Sequence, residues 1–121
     1  MESFLVFFGK EPCGLVLDEE KQTLYFSDNN NLIRTLNLVD GTVKVLAGSI
    51  VSGFVDNVEP RMALFNYSWA MCEDDEGGLI IADCYNHVIR RVHKDGTGKV
   101  TTIAGNRLTS TCTAGQATKT S

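Results

Sequence analysis

The sequence has no cluster of basic residues and carries an excess of acidic ones. Its 11 lysines and arginines are scattered among 15 aspartates and glutamates, so the formal net charge at pH 7 is −4. With a pI near 5, the chain lacks the positive charge on which binders of nucleic acid or anionic membranes depend. We therefore expect neither nucleic acid nor a membrane as a partner.

Long apolar segments are missing as well. No stretch approaches the ~18 apolar residues of a membrane-spanning helix. The apolar run within residues 1–9 follows an acidic residue and is shorter than the ~7 apolar residues that a secretory signal peptide needs. These absences predict an intracellular protein, and we expect a cytoplasmic one.

Sequence patterns of catalytic and metal sites are absent too. The cysteines form no CxxC pair and follow no regular spacing, so they indicate neither a zinc site nor a disulfide framework. Cys72 and Cys84 could lie on neighbouring strands, but we expect both to be buried free thiols. There is no GxSxG nucleophile motif and no glycine-rich phosphate-binding motif. The sequence therefore predicts no catalytic residue, no metal and no cofactor. The four cysteines are Cys13, Cys72, Cys84 and Cys112.

Two groups of residues with metal-binding side chains have simpler explanations. The acidic segment 74–76 lacks the alternating ligands of a calcium-binding loop, and with the two glycines that follow it predicts a solvated hairpin turn. His87 and His93 are six residues apart in one predicted strand region. An extended strand would separate them by about 20 Å, which is too far for both to bind one metal ion.

A repeated segment dominates what the sequence does contain. Residues 24–34 and 79–90 each hold an apolar run that ends in Asp, an Asn three positions later, and an Ile-Arg pair that opens a second apolar run. Self-similarity at a fixed spacing is the signature of repeat architectures. We take the shared residues as structural: Asp28, Asn31, Ile33 and Arg34 in the first copy, and Asp83, Asn86, Ile89 and Arg90 in the second.

The similarity extends beyond these segments on both sides. Residues 14–18 align with residues 69–73, and residues 41–48 align with residues 98–105. The second copy has gained two residues in its turns, and the first lacks one residue between Asn31 and Ile33. Each copy predicts four short antiparallel strands: 15–17, 23–27, 32–38 and 42–47 in the first, and 69–72, 79–82, 88–93 and 99–104 in the second.

The chain divides accordingly into five segments. Residues 1–10 predict an apolar strand, and residues 49–66 form a linker with enough apolar residues to pack onto the fold. Within the first repeat, Asp40-Gly41 is a strong hairpin signal. The five segments are 1–10, the first repeat at 11–48, the linker at 49–66, the second repeat at 67–105, and a tail rich in Thr, Ser and Ala at 106–121.

The combined pattern resembles the NHL repeat, in which each copy is one four-stranded blade of a β-propeller. It reads Pro-x-Gly-(apolar)₃-Asp, then an apolar run with Asp-x-x-Asn and Ile-Arg, then Gly-x-Val-x-x-(Leu/Ile)-Ala-Gly, and it covers about residues 11–105. The resemblance implies an all-β fold of two four-stranded antiparallel propeller blades, part of a larger or oligomer-completed β-propeller. The tail looks like the lead into a third blade.

Two blades leave two outer faces that other blades normally cover. Three arrangements would cover them: a longer propeller of which this chain is a fragment, a ring closed by several copies, or pairing with another repeat protein. The tail, which stops within a motif, favours the fragment. The residues expected to contribute to these faces include some of Leu15, Leu17, Tyr25, Phe26, Ile80, Ile81 and Ile103.

Blade geometry also predicts what the repeated arginine does. Adjacent residues of a strand point to opposite faces of the sheet, and both faces of a propeller blade meet protein. We therefore expect Arg34 and Arg90 to lie between blades and to give their guanidinium groups to a motif Asp of the same or the next blade. This role is structural rather than catalytic.

Tyr67 and Trp69 stand where the first copy has Pro12 and Gly14. Near the start of the innermost strand they would lie at the channel mouth, as anchors for a partner, or else pack against the linker. The function we expect is a non-enzymatic scaffold that binds a protein or peptide. The alternatives are a lyase or hydrolase propeller with a metal in its central channel and an RNA-binding NHL surface, which the low pI disfavours.

Overall fold

The computed structural model describes residues 12–28 and 31–106. They form two four-stranded antiparallel sheets, each with its strands in chain order. The first sheet contains β1 (Leu15–Asp18), β2 (Thr23–Ser27), β3 (Leu32–Asn37) and β4 (Val43–Gly48), and the second contains β5 (Ser68–Glu73), β6 (Leu79–Asp83), β7 (Val88–Val92) and β8 (Val100–Gly105). The strand predicted within residues 1–10 and the lead at 107–121 lie outside the described residues.

The all-β fold class and the two blades are confirmed. Each strand lies where the repeat predicts it, with its ends within one residue of the predicted ones. The hairpin at Asp40-Gly41 is present as well. Gly41 has a φ of 79°, and the backbone N–H of Asn37 donates to the carbonyl of Thr42 at 2.8 Å, so the turn residues act as their sequence indicated.

A β-bulge in β5 corrects the predicted alignment of the innermost strands. Met71 pairs with Ile81, whereas Leu15 pairs with Phe26. The second copy therefore has one extra residue in this strand, and the register shift lies between Ser68 and Met71. The predicted alignment of residues 14–18 with residues 69–73 is therefore wrong by one position from Leu15 onward, where Leu15 corresponds to Met71. The reason is that a bulge places two residues of one strand opposite one residue of its partner.

The turns after these strands show the corrected equivalence. The carboxylate of Asp18 accepts the backbone N–H of Lys21 at 3.1 Å, and the carboxylate of Asp74 accepts that of Glu76 at 2.9 Å. Asp18 therefore corresponds to Asp74, which lies 56 positions later in the sequence.

The position of the missing residue in the first copy is also corrected. Asn31 has a φ of 67° and His87 a φ of 60°, so these two residues occupy equivalent left-handed positions before β3 and β7. They are 56 positions apart, as are Arg34 and Arg90. The first copy is therefore shorter before Asn31, not after it. Asn and His tolerate left-handed backbone better than most residues, so either type suits this turn.

The hydrophobic core lies between the two blades. Tyr25 and Ile33 of the first blade belong to one buried cluster with Ile81 and Val92 of the second. The linker adds Phe65, which is completely buried, so its predicted packing onto the fold is confirmed. The core consists of Val16, Tyr25, Ile33, Ala47, Ala63, Phe65, Leu79, Ile81, Val92 and Val100, with Leu46 and Met71 packed against it.

The linker packs through backbone pairing along the outside of the second blade. Val55 and Leu64 form an isolated antiparallel bridge, and Asn57 forms another with Val100 of β8. A short 3₁₀ helix at Pro60–Met62 reverses the chain between the two halves of the linker. The linker thus extends to the first residue of β8, Val100, and returns before β5 begins.

Solvent exposure differs among the apolar residues expected on the outer faces. Leu15 is 61% exposed and Leu17 is 47% exposed, whereas Phe26 is buried. Tyr25 and Ile81 lie inside the interface between the blades. Within the described part of the chain, no helix is long and apolar enough to cross a membrane.

The expectation of buried thiols is wrong for two cysteines. Cys72 and Cys84 are exposed and form no disulfide, whereas Cys13 is partly buried. Cys72 lies on β5, the first strand in the order of its sheet, and Cys84 begins the 3₁₀ turn between β6 and β7. Partial burial, followed by the nearby Asp83 carboxylate, raises the pKa of the Cys84 thiol.

Candidate functional site

The guanidinium of Arg90 is completely buried and contacts two carboxylates. It donates to Asp83 at 2.7 Å and to Asp56 at 2.9 Å. It also donates to the backbone carbonyls of Leu64 and Val55, each at 2.8 Å. The predicted contact between the arginine and the aspartate of one motif is therefore observed, and a second carboxylate joins it from the linker.

Two phenyl rings flank the same guanidinium. Its central carbon lies 4.9 Å from the ring centroid of Phe54 and 4.6 Å from that of Phe65. Both rings belong to the linker, and contacts of this kind are favourable for a desolvated guanidinium. Arg90 therefore fastens the linker to β7. Sequence reasoning missed Asp56 and both rings because the linker is not part of the repeat.

The other residues of the second motif hold the linker as well. The Asp83 carboxylate accepts the backbone N–H of Asn66 at 2.8 Å. The side-chain amide of Asn86 donates to Asp83 and to the carbonyl of Gly53, each at 2.8 Å. The Asp-x-x-Asn spacing therefore places the side chains of Asp83 and Asn86 where both bind the backbone of the linker. Ile89 is only partly buried on the opposite face.

The first motif makes a related but different set of contacts. Arg34 donates to Asp28 at 2.7 Å, and Ile33 is buried between the blades. The side-chain oxygen of Asn31 accepts the backbone N–H of Tyr67 at 2.8 Å. Asn31 therefore holds the entry to the second blade, whereas Asn86 holds the linker.

Tyr67, Trp69 and Tyr85 form a group of rings that we call the aromatic cluster. The ring centroids of Tyr67 and Tyr85 are 4.7 Å apart and stacked, and those of Tyr67 and Trp69 are 5.3 Å apart and tilted. Trp69 is 45% exposed and Tyr85 is 63% exposed. The structure brings the two predicted anchors together and adds Tyr85, which lies within the repeated motif but has no aromatic counterpart in the first copy.

Contacts with both blades fix the backbone of this cluster. The carbonyl of Trp69 accepts the hydroxyl of Ser27 at 2.9 Å. Tyr67 adopts a left-handed φ of 61°, and its carbonyl accepts the backbone N–H of Cys84 at 3.2 Å. The β5 bulge includes Trp69, and bulges commonly redirect a side chain next to a binding site.

A second contact between the blades surrounds Lys94. Its ammonium lies 4.5 Å from the ring centroid of Tyr25, 3.5 Å from Asp18, and in contact with Glu73. Burial alone would lower the pKa of Lys94, but the Glu73 and Asp18 carboxylates and Tyr25 offset it, so the pKa is raised. A cavity of about 270 Å³ adjoins this contact and is lined by Tyr25, Leu46, Pro60, His93, Lys94, Gly96, Thr97 and Gly98.

His93, on the same cavity wall, provides a test of pH dependence. Burial, then the charges of Arg91 and Lys99, lower its pKa below the ordinary 6.5. A lowered pKa means that the unfolded chain binds the proton first, so stability is full above pH 6.5 and falls as the pH drops. We expect the urea midpoint to decrease between pH 7 and pH 5, and to decrease less in His93→Gln.

Three aspartates with shifted pKa values do not titrate in this pH range. Hydrogen bonds from their own turns lower the pKa values of Asp18, Asp40 and Asp95 below the ordinary 3.8, so these groups titrate at more acidic pH. His87→Asn is the matched control, because Asn also tolerates the left-handed backbone at this position. Equal slopes for the wild type and both variants would show that His93 does not contribute.

The acidic segment 74–76 is part of a hairpin turn, as predicted. Asp74 accepts the backbone N–H of Gly78 at 2.7 Å, and Asp74 and Glu76 each contact Arg91 at 2.7 Å. In residues 12–28 and 31–106, no group of three or more His, Cys, Asp or Glu side chains is arranged to hold a metal ion.

Comparisons with known proteins address the fold. No protein-family model matches the chain, and no curated protein matches it either. A solved structure from Bacteroides thetaiotaomicron VPI-5482, of unknown function, is 34% identical with a TM-score of 0.61; the match covers 67% of this chain and 20% of that one. Virginiamycin B lyase from Staphylococcus aureus is 14% identical with a TM-score of 0.53, covering 76% and 26%.

The chain thus spans only 20% and 26% of the lengths of these two structures. At 14% identity the lyase supports the shared fold alone, and that fold is a β-propeller. Together with the two four-stranded antiparallel sheets, these comparisons show that the described chain has the architecture of two β-propeller blades.

Proposed function

We propose that this chain is an NHL-type propeller segment that binds a protein or peptide through the aromatic cluster, and that it is not an enzyme. The observation that carries the proposal is the exposure of two aromatic side chains that both contact the ring of Tyr67, namely Trp69 at 45% and Tyr85 at 63%. Trp and Tyr are enriched among the residues that dominate binding energy at interfaces. The cluster lies where the innermost strand of the second blade begins.

Local strain supports a binding role. A left-handed backbone costs roughly 1–2 kcal/mol for a residue with a side chain, yet Tyr67 adopts it at a φ of 61°. Such strain persists only where the surroundings enforce it, and it concentrates at functional sites. The bulge that includes Trp69 is a second departure from regular strand geometry in the same place.

The cluster is also held in place before any partner arrives. Asn31 and Ser27 of the first blade bind the backbone of Tyr67 and Trp69, and the backbone N–H of Tyr85 donates to the carbonyl of Asn66 at 3.1 Å. Ordering side chains on binding costs free energy, so rings that are already stacked and fixed bind with a smaller entropic loss.

Two alternatives make different predictions. Virginiamycin B lyase has a similar fold, but an identity of 14% supports only the shared fold. A stoichiometric metal ion in the purified protein would favour a propeller lyase or hydrolase, whereas an RNA affinity that falls steeply with salt would favour an RNA-binding NHL surface. For a binding scaffold we expect neither result.

Selection from a phage-displayed peptide library tests the proposal. We expect the full chain to enrich a set of peptides, and the double variant Trp69→Ala, Tyr85→Ala to bind them roughly 30-fold more weakly, since losing a hot spot costs about 2 kcal/mol or more. Val39→Ala is the matched control, because Val39 is 73% exposed and lies in the turn at the opposite end of the first blade. Unchanged enrichment by the double variant would exclude the cluster as the site.

A further inference from the structure

We propose that the segment bound by the aromatic cluster is positively charged, and that its arginine side chains stack on the exposed rings of Trp69 and Tyr85. This inference rests on the proposed function and names the chemistry of the partner. Aromatic faces carry partial negative charge and attract cations, and Trp is the strongest of the three aromatic types. The planar guanidinium stacks on such faces better than the compact ammonium of lysine.

The protein uses the same chemistry inside its own fold. Arg90 lies between the rings of Phe54 and Phe65 at 4.9 and 4.6 Å, and Lys94 lies 4.5 Å from the ring of Tyr25. These internal contacts join separate segments of the chain. A basic side chain of a partner on Trp69 or Tyr85 would repeat them at the surface.

Net charge favours a basic partner over an acidic one. The chain carries a formal net charge of −4, and its ion pairs leave negative charge in excess. Arg90, Arg91 and Lys94 each contact two carboxylates. A field of this sign attracts cationic segments over long range and repels acidic ones, so it complements the local attraction of the rings.

The arrangement of the cluster offers more than one contact. Tyr67 lies between the other two rings, at 5.3 Å from Trp69 and 4.7 Å from Tyr85. The two outer rings are the more exposed, and each can accept a separate side chain. We therefore expect a segment with at least two arginines to bind better than one with a single arginine.

Fluorescence anisotropy of the full chain with labelled homopeptides tests this inference. The probes are oligoarginine, oligolysine, oligoproline and oligoglutamate of equal length, at physiological salt. We expect the affinity order arginine, lysine, proline, with no binding of glutamate. The double variant Trp69→Ala, Tyr85→Ala keeps the net charge, so an affinity for oligoarginine that depends on the rings should fall about fivefold to tenfold.

Trp69→Leu keeps an apolar side chain on the bulge and is the second variant, in case the double variant unfolds; we expect it to lose about threefold. Val39→Ala should bind as the wild type does. Equal oligoarginine affinity in the wild type and both cluster variants would mean that attraction is only electrostatic and would overturn the inference. Ring-dependent binding of oligoproline in preference to oligoarginine would also overturn it, while leaving the proposed binding site intact.

Discussion

Arg90→Ala is expected to lower the free energy of unfolding by about 3–5 kcal/mol, the usual cost of leaving one partner of a buried ion pair uncompensated. The Asp83 carboxylate is completely buried and would lose this cation. The backbone carbonyls of Val55 and Leu64 would each lose one of two donors, since each also accepts the other's backbone N–H, and the space between Phe54 and Phe65 would be vacated. Urea denaturation followed by circular dichroism and by fluorescence measures the change.

Two further variants separate the causes. Arg90→Lys keeps the charge but loses the forked geometry that reaches two carboxylates and two carbonyls, so we expect it to recover only part of the loss. Lys44→Ala removes an exposed cation from β4 and should cost no more than about 0.5 kcal/mol. A loss below about 1 kcal/mol for Arg90→Ala would contradict the proposed role of the buried guanidinium.

Gly14→Ala is expected to lower stability by about 2–3 kcal/mol through overpacking. A Cβ at this position would lie 2.5 Å from the backbone carbonyl oxygen of Trp69. That oxygen belongs to the second blade, so the two blades would have to move apart. The same movement would disturb the hydrogen bond from Ser27 to Trp69, and Trp69 is the sole tryptophan of the chain, so its fluorescence should change.

Gly77→Ala is a sharp control for this variant. Gly77 has a φ of 81° and nothing within 4 Å of its would-be Cβ, whereas Gly14 does not have a left-handed φ. Backbone strain alone would make Gly77→Ala the worse substitution, at roughly 1–2 kcal/mol. We expect the opposite order, because the added methyl group of Gly14→Ala would clash with the second blade. A smaller loss in Gly14→Ala than in Gly77→Ala would show that the blades tolerate separation.

These variants also connect stability with the proposed function. The carbonyl that crowds Gly14 belongs to Trp69, and the hydroxyl of Ser27 binds that same carbonyl. Asn31, also of the first blade, binds the backbone of Tyr67. The aromatic cluster is therefore positioned by contacts between the blades, so a change that loosens those contacts should weaken peptide binding together with the fold.

Much of the fold follows from local patterns in the sequence. The two copies of the apolar runs and turn residues predicted the strands to within one residue at each end, because strand alternation and turn chemistry depend on neighbours in the chain. The pairing of Arg90 with a motif aspartate was also predicted, and the structure shows that this aspartate is Asp83 of the same hairpin. The NHL resemblance itself stays a prediction.

The sequence could not show the features that depend on unrepeated segments. An alignment without gaps hid the bulge at Trp69, because one inserted residue in an otherwise matched strand leaves the apolar pattern nearly unchanged. Asp56, Phe54 and Phe65 come from a linker that occurs once between the copies, so no comparison of copies marked them as partners of Arg90.

By itself, the sequence determined that the chain forms two similar antiparallel sheets and which residues fasten their turns, since these follow from short-range spacing. Only the tertiary structure decided which linker side chains surround Arg90, that Lys94 reaches Tyr25 of the other blade, and that Tyr85 joins Tyr67 and Trp69. The physical reason is that these contacts join residues far apart in the chain, whose meeting depends on how the blades and the linker pack.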